Sequence, residues 1–289
     1  MENPEKEKSE GALTKQPLLI FIWAVLPIIS VFGISMASDT SNSEDLFANT
    51  SLITMSLWQI ASVMIMLVLP ALLISYIYKK QVLKFLNLLK LPSLELLLLS
   101  LGIMFSANFF INYLLVLNKI IPLSAGLALK FEAMHNNALA SQDYFLNFNG
   151  GLEFLLVFLT MAIIPAIAEE MYFRGLLEGI LLDMKVGAIH AILISSMLFA
   201  MMHFQFYFLL PLLFMGGILG YVYYRTRNLW LSIAMHFMNN GLIVIVALRN
   251  KTAITPIDLN TPPPLYISGI GLLIFVFLLY FFHKKTIKN

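Results

Sequence analysis

Eight times along its length the chain runs for about twenty residues with almost no charge, and each such run suits a helix crossing a roughly 30 Å hydrocarbon layer. The expected spans are 17–37, 53–78, 94–117, 151–174, 187–205, 206–224, 229–248 and 264–283. Composition agrees. Of 289 residues, 60% are hydrophobic and 12% charged, where soluble domains carry about 25% charged residues, and the mean hydropathy is +0.85. The fold class is therefore an all-α polytopic membrane protein, a bundle of about eight transmembrane helices. The fifth and sixth spans almost touch, so Phe204-Gln205-Phe206 has to turn tightly at or within the membrane.

Basic residues set the orientation. Of the 18 Lys and Arg, all but Lys119, Lys130, Arg249 and Lys251 fall on one side if the amino terminus is inside, which makes both termini cytoplasmic. The net charge of +2 reflects that bias and implies no nucleic-acid partner. Without cysteine there is no disulfide, thiolate metal site or thiol nucleophile. Residues 1–16 are polar and read as a disordered cytoplasmic tail, with no cleavable leader. Residues 17–150 then hold helices 1–3, a Lys/Leu/Phe amphipathic helix after Lys79 on the inner surface, and a long outer loop at 118–150. In that loop Phe131, Met134, Phe145 and Phe148 are placed to dip towards lipid, and His135 to sit at the interface. Helices 4–7 occupy 151–248, and an outer loop and the last helix occupy 249–289.

The sequence AEEMYFRG, residues 168–175, sets two carboxylates and a guanidinium in apolar surroundings. Intramembrane ionisable groups cost several kcal/mol and mark function by default. Glu170 and Arg174, four apart, pair on one helix face. Glu169 lies about 100° round the helix and needs a partner from another span. Histidine occurs deep in only two other apolar runs: His203 in FAMMHF, and His236 in IAMHFMNNG, where Asn240 shares its face. Counted from the 183–187 turn, Glu169 and His203 lie at matching depths of roughly 20–25 Å, whereas His236 is only about 10 Å from the inner start of its helix. The three meet only if the hairpin of Glu178, Asp183 and Lys185 projects about 10 Å into the cytoplasm.

A carboxylate beside a neutral imidazole in a low-dielectric pocket suits water activation. A second imidazole and a carboxamide suit an oxyanion forming at a scissile carbonyl. The same Glu169, His203, His236 and Asn240 also suit a divalent metal with an open water position. Gly216 and Gly220 stand at small-xxx-small spacing, the pattern of close helix packing. Tyr172, Phe173, Phe199, Phe204, Phe206 and Tyr207 are candidates to line a groove, or to pack.

At these residues the sequence resembles the CAAX-prenyl-protease and bacteriocin-processing family of intramembrane proteases. Its pattern is EExxxR, FxxxH, then HxxxN or HxxxD, matched here by Glu169-Glu170-x-x-x-Arg174, Phe199-x-x-x-His203 and His236-x-x-x-Asn240 across residues 151–248. The resemblance implies that Glu169 and His203 activate water, that His236 and Asn240 stabilise the oxyanion or ligate metal, and that Glu170 and Arg174 orient the site. It implies an intramembrane endopeptidase, a Zn²⁺ held conditionally by Glu169, His203 and His236, and a membrane-associated peptide or protein substrate, prenylated CaaX-like or bacteriocin-type. It also implies contact with membrane lipid and a multi-pass place in a prokaryotic plasma membrane. The alternatives are a proton-coupled transporter using the same groups as a relay, and a non-catalytic membrane immunity or scaffold protein.

Overall fold

The computed structural model describes residues 4–37, 50–148, 150–250 and 264–287, and among them every regular element is a helix. In chain order these are α1 (Pro4–Ala37), α2 (Leu52–Lys79), α3 (Val82–Phe85), α4 (Leu94–Asn118), α5 (Ala125–Leu146) and α6 (Gly151–Asp183). There follow α7 (Ala188–Met202), α8 (Leu209–Thr226), α9 (Leu229–Asn250) and α10 (Leu265–Ile287). The expected outer segments at 38–49 and 251–263 lie outside the described residues.

Besides α1, which contains Pro17 and Pro27, two of the long helices carry an internal proline, which removes a backbone donor and crowds the carbonyl four residues back. Both place a widened π-helical turn just before it: Met64–Val68 ahead of Pro70 in α2, and Leu159–Ile163 ahead of Pro165 in α6. The wider turn leaves room for the ring, so the helices bend instead of breaking. Two helix starts are capped by a hydroxyl: Ser51 accepts from the Thr54 amide and Ser93 from that of Leu96.

Among the described residues seven helices are long and apolar enough to cross a membrane, not eight. The expected fifth span is α7, whose 15 residues reach only about 22 Å. It stops inside the bundle at His203, and the chain reverses through Phe204, held at φ 53°, into a 3₁₀ turn at Phe206–Phe208 and then α8. Irregular backbone at such depth needs partners from protein or water. Asn118 supplies them, donating from Nδ2 to the Phe206 carbonyl (2.8 Å) and accepting the Leu210 amide at Oδ1 (2.8 Å).

Three other expectations change. The polar residues from Pro4 onward continue α1 as helix instead of forming an unstructured tail; Glu and Lys are good helix formers, and a formed helix lengthens more readily than it nucleates. The surface helix after Lys79 shrinks to four residues, because Lys80 and Asn87 adopt left-handed φ (57° each). Its remainder is stitched to the bundle: Asn87 donates to the Tyr223 hydroxyl, Trp230 to the Leu88 carbonyl and Asn228 to the Lys90 carbonyl. The long loop is mostly α5, which packs on protein. Met134, His135 and Phe145 are buried, Phe131 stacks on Phe206 at 4.7 Å, Phe148 meets Phe154, and His135 faces Tyr207 and Phe208.

The second half of α6 forms the axis of the fold. Every residue from Glu170 to Leu181 is buried, with α1, α2, α7, α8 and α9 around it. Lys79 closes on Asp183 at 3.1 Å, so the end of α2 and the end of α6 share a level, here the basic end.

Candidate active site

Glu169 and Glu170 sit at the point where α6 widens into a second π-helical segment, Met171–Glu178. Such segments turn adjacent side chains out of strict α register and are frequent at functional sites. Glu170 points into the dry interior. Its Oε1 accepts from Arg174 NH1 at 2.6 Å and from His236 Nδ1 at 2.9 Å, and all three groups are almost wholly buried. Arg174 also donates to the Gly216 carbonyl (3.2 Å) and lies against the face of Phe199, 4.6 Å from its Cζ, while its buried Nε has no hydrogen-bond partner among the described residues. Arg174, counted among inner basic residues on sequence, is thus inside the bundle, because α6 runs on to Asp183.

Glu169 faces the other way. Its Oε2 stands 3.8 Å from His203 Nε2 and 3.8 Å from His236 Nε2, the three coming from α6, the end of α7 and α9. The expected depth mismatch is resolved as the helical rise demands: the Asp183 end of α6 extends about 10 Å beyond the first turn of α9. Yet that extension is not all solvated. Glu178, expected in a cytoplasmic hairpin, is fully buried, and both its oxygens lack a hydrogen-bond partner among the described residues. Gly220 makes its room, since a Cβ there would stand 2.7 Å from Glu178 Oε2. Gly216 instead lies against Ser196 of α7, the close helix packing expected of the pair.

The tautomers follow from the partners. His203 Nδ1 lies 2.8 Å from the Phe199 carbonyl, which can only accept, so Nδ1 carries the proton. His236 Nδ1 donates to the Glu170 carboxylate. Nε2 of both rings faces Glu169, whose Oε2 has no hydrogen-bond partner among the described residues. The 3.8 Å gaps suit a bridging water or a cation. A cavity of about 290 Å³ lies beside them, lined in part by Val31, Gln59, Met66, Glu169, Phe173 and His203. Glu169 and His203 keep 17% and 27% of their side-chain surface exposed, whereas His236 keeps 2%, so the wet and dry halves of the site meet at this point.

The donor set, two imidazoles and a carboxylate, is one that zinc accepts. In a four-coordinate site neighbouring ligand atoms stand about 3.4 Å apart, so the 3.8 Å gaps would close by a few tenths of an ångström. As drawn, no three His, Cys, Asp or Glu among the described residues already stand as a metal cluster.

Asn240, one helical turn beyond His236, accepts from Asn239 Nδ2 at 3.2 Å and makes no hydrogen bond to the other five expected site residues. The aromatic expectations divide. Phe173 and Phe204 line the cavity and Phe199 braces Arg174. Tyr172 is buried with its hydroxyl on the Ala24 carbonyl, and Phe206 and Tyr207 pack on α5. Sequence reading missed the contribution of α1 and α2, whose Val31, Gln59 and Met66 form the wall opposite Glu169. Only Gln59, a carboxamide inside an apolar span, offered a signal.

Comparison with known proteins converges on this region. Residues 151–242 match the family described as type II CAAX prenyl endopeptidase Rce1-like. The chain is 34% identical over 94 residues to the putative membrane peptidase YdiL of Bacillus subtilis (strain 168), covering 32% of this chain and 38% of that protein. It is 33% identical over 99 residues to the membrane-embedded CAAX protease MroQ of Staphylococcus aureus (strain USA300), covering 32% and 40%. The matched stretch thus spans about two fifths of each relative's length. No solved structure matches the chain.

Proposed function

We propose, from the membership of residues 151–242 in the Rce1-like family of type II CAAX prenyl endopeptidases, that this multi-pass membrane protein hydrolyses a peptide bond of a substrate held in the same membrane. The observation that carries the reading is the meeting of Glu169 Oε2 with Nε2 of His203 and of His236, each at 3.8 Å, beside a 290 Å³ cavity that Glu169 and His203 line. The peptidase names of both relatives support it.

A water between Glu169 and His203 gives a proton to one of them as its oxygen attacks the scissile carbonyl, and the proton then passes to the leaving amine. A positioned base of this kind contributes about 10²–10⁴-fold. Glu170 and Arg174 hold the ring of His236, acting through it on the reacting atoms. His236 serves the oxyanion through Nε2 when that atom carries a proton, its ring held in place by Glu170 on Nδ1. Asn240, on the same helix face, is the second oxyanion donor after a rotation that frees its carboxamide. If Zn²⁺ is present, Glu169, His203 and His236 hold it, and it supplies Lewis-acid activation of the same water. Prenylated CaaX-like and bacteriocin-type chains are the candidate substrates.

The test compares membrane peptides from cells carrying the wild-type chain with those carrying Glu169→Gln. The variant should insert normally, unfold at the same temperature and lose at least about 10²-fold in product. Persistence of the same fragments with Glu169→Gln would reject the reading.

A further inference from the structure

At the basic end, away from the catalytic cavity, two further cavities adjoin across the first turn of α4 and the last turn of α10. One, of about 350 Å³, is lined by Lys90, Ser93, Arg225, Arg227, Asn228 and Thr286, among others. The other, of about 690 Å³, is a groove between α4 and α10 walled by Leu99, Phe277, Leu278 and Phe281, with Glu95, Lys284 and Lys285 at its polar end.

The charges at this corner are unbalanced. Glu95 is engaged by Lys285. Arg225 uses its hydrogen bonds on neutral acceptors, the Thr286 hydroxyl at 3.1 Å and the His283 carbonyl at 3.3 Å. Arg227 lies over the Tyr223 ring, 5.9 Å from its centroid, and Lys90 is exposed. None of Lys90, Arg225 and Arg227 has a carboxylate within ion-pair reach among the described residues. Five cations therefore share the corner with one ion-paired carboxylate, Glu95, and the buried Glu178 acts on Arg227 from the interior side; cations remain in excess, a setting that favours an anion from outside.

The apolar half of the corner says which anion. Phe277 and Phe281 are exposed at 60% and 47% on the outer wall of the groove, the position of an acyl chain alongside a membrane helix. A basic pocket between helix ends beside such a groove matches a phosphate-bearing headgroup with its chain attached. The N-terminal amides of α4, next to Ser93, add a favourable dipole for the same charge.

We propose that this corner holds one anionic phospholipid, its phosphate among Lys90, Arg225 and Arg227 and an acyl chain along Leu99, Leu278 and Phe281. The lipid ties the α8–α9 turn, Arg227-Asn228, to the end of α10. Since α9 carries His236 two turns further on, occupancy stiffens the helix that presents one imidazole to the catalytic cavity.

The full-length chain, purified with phosphatidylglycerol or with phosphatidylcholine of the same acyl chains, is examined by native mass spectrometry. Phosphatidylglycerol should be retained preferentially as a single adduct. Lys90→Gln, at an exposed side chain whose loss leaves folding intact, should weaken retention about fivefold, the scale of one basic residue at an anionic surface. Lys84→Gln, which removes the same charge outside the pocket, should leave retention unchanged. Equal retention of both lipids, or equal losses in the two variants, overturns the assigned site. Displacement of the lipid by inorganic phosphate alone overturns the lipid as occupant in favour of a free anion.

Discussion

Neutralising Glu170 tests how the dry half of the site is held. Glu170→Gln keeps an oxygen for Arg174 NH1 and His236 Nδ1 but removes the carboxylate ion-paired with a fully buried guanidinium. Breaking a buried pair by deleting one partner costs about 3–5 kcal/mol. The Gly216 carbonyl at 3.2 Å and the Phe199 face at 4.6 Å remain for Arg174, which places the expected loss near the lower end, about 3 kcal/mol. Arg174→Met strands the opposite charge and should cost a similar amount. Removing both charges together should cost much less than the sum of the single losses, because neither Glu170 nor Arg174 is left buried without the other. Unfolding of the purified variants in mixed micelles reads the cycle directly. Each single variant should melt at least about 6 °C lower, and the double variant should lose much less than the two shifts added. If the double variant lost the sum of the two single losses, within about 0.5 kcal/mol, the pair would not be coupled and the account of the dry half would be wrong.

Two further predictions follow from burial elsewhere. Gly220→Ala places a methyl 2.7 Å from Glu178 Oε2 and should destabilise by about 1–3 kcal/mol, whereas in a Glu178→Ala background the same change should cost much less; thermal unfolding of the four proteins decides it. Burial against Tyr207 and Phe208 holds the His135 imidazole below its ordinary 6.5, so the ring is neutral when α5 is docked. Its contribution to docking is fully present above that value and is lost as pH falls below it. The protection of α5 amides, taken relative to their intrinsic exchange rate at each pH, should fall from pH 7 to pH 5 in the wild type and not in His135→Leu; an equal fall in both would refute the assignment.

Much of the site was legible because charge in an apolar run has few explanations. Glu169 and Glu170, being adjacent, had to face different partners, and two deep histidines were the available ones. What stayed hidden has physical causes. Phe204, Phe206 and Phe208 prolong the hydropathy of α7, so a 15-residue helix and its turn read as a full span; the residue that satisfies the turn, Asn118, lies 88 positions from Phe206. Glu178 neighbours Asp183 and Lys185 and reads as surface, and only the packing of α8 at Gly220 reveals its burial. Apolar Val31 and Met66 give no sign of facing a catalytic carboxylate, because any membrane helix looks the same there.

The central claim is that Glu169, His203 and His236 converge at the edge of one cavity, and the absence of cysteine from the chain allows it to be tested in native membranes. Paired substitutions Glu169→Cys with His203→Cys, and Glu169→Cys with His236→Cys, are treated with the shortest bifunctional thiol reagents, with Lys79→Cys and Asp183→Cys as the control for a known surface contact at 3.1 Å. Both site pairs should cross-link, as their 3.8 Å separations require. Cross-linking of the control alone would contradict the account.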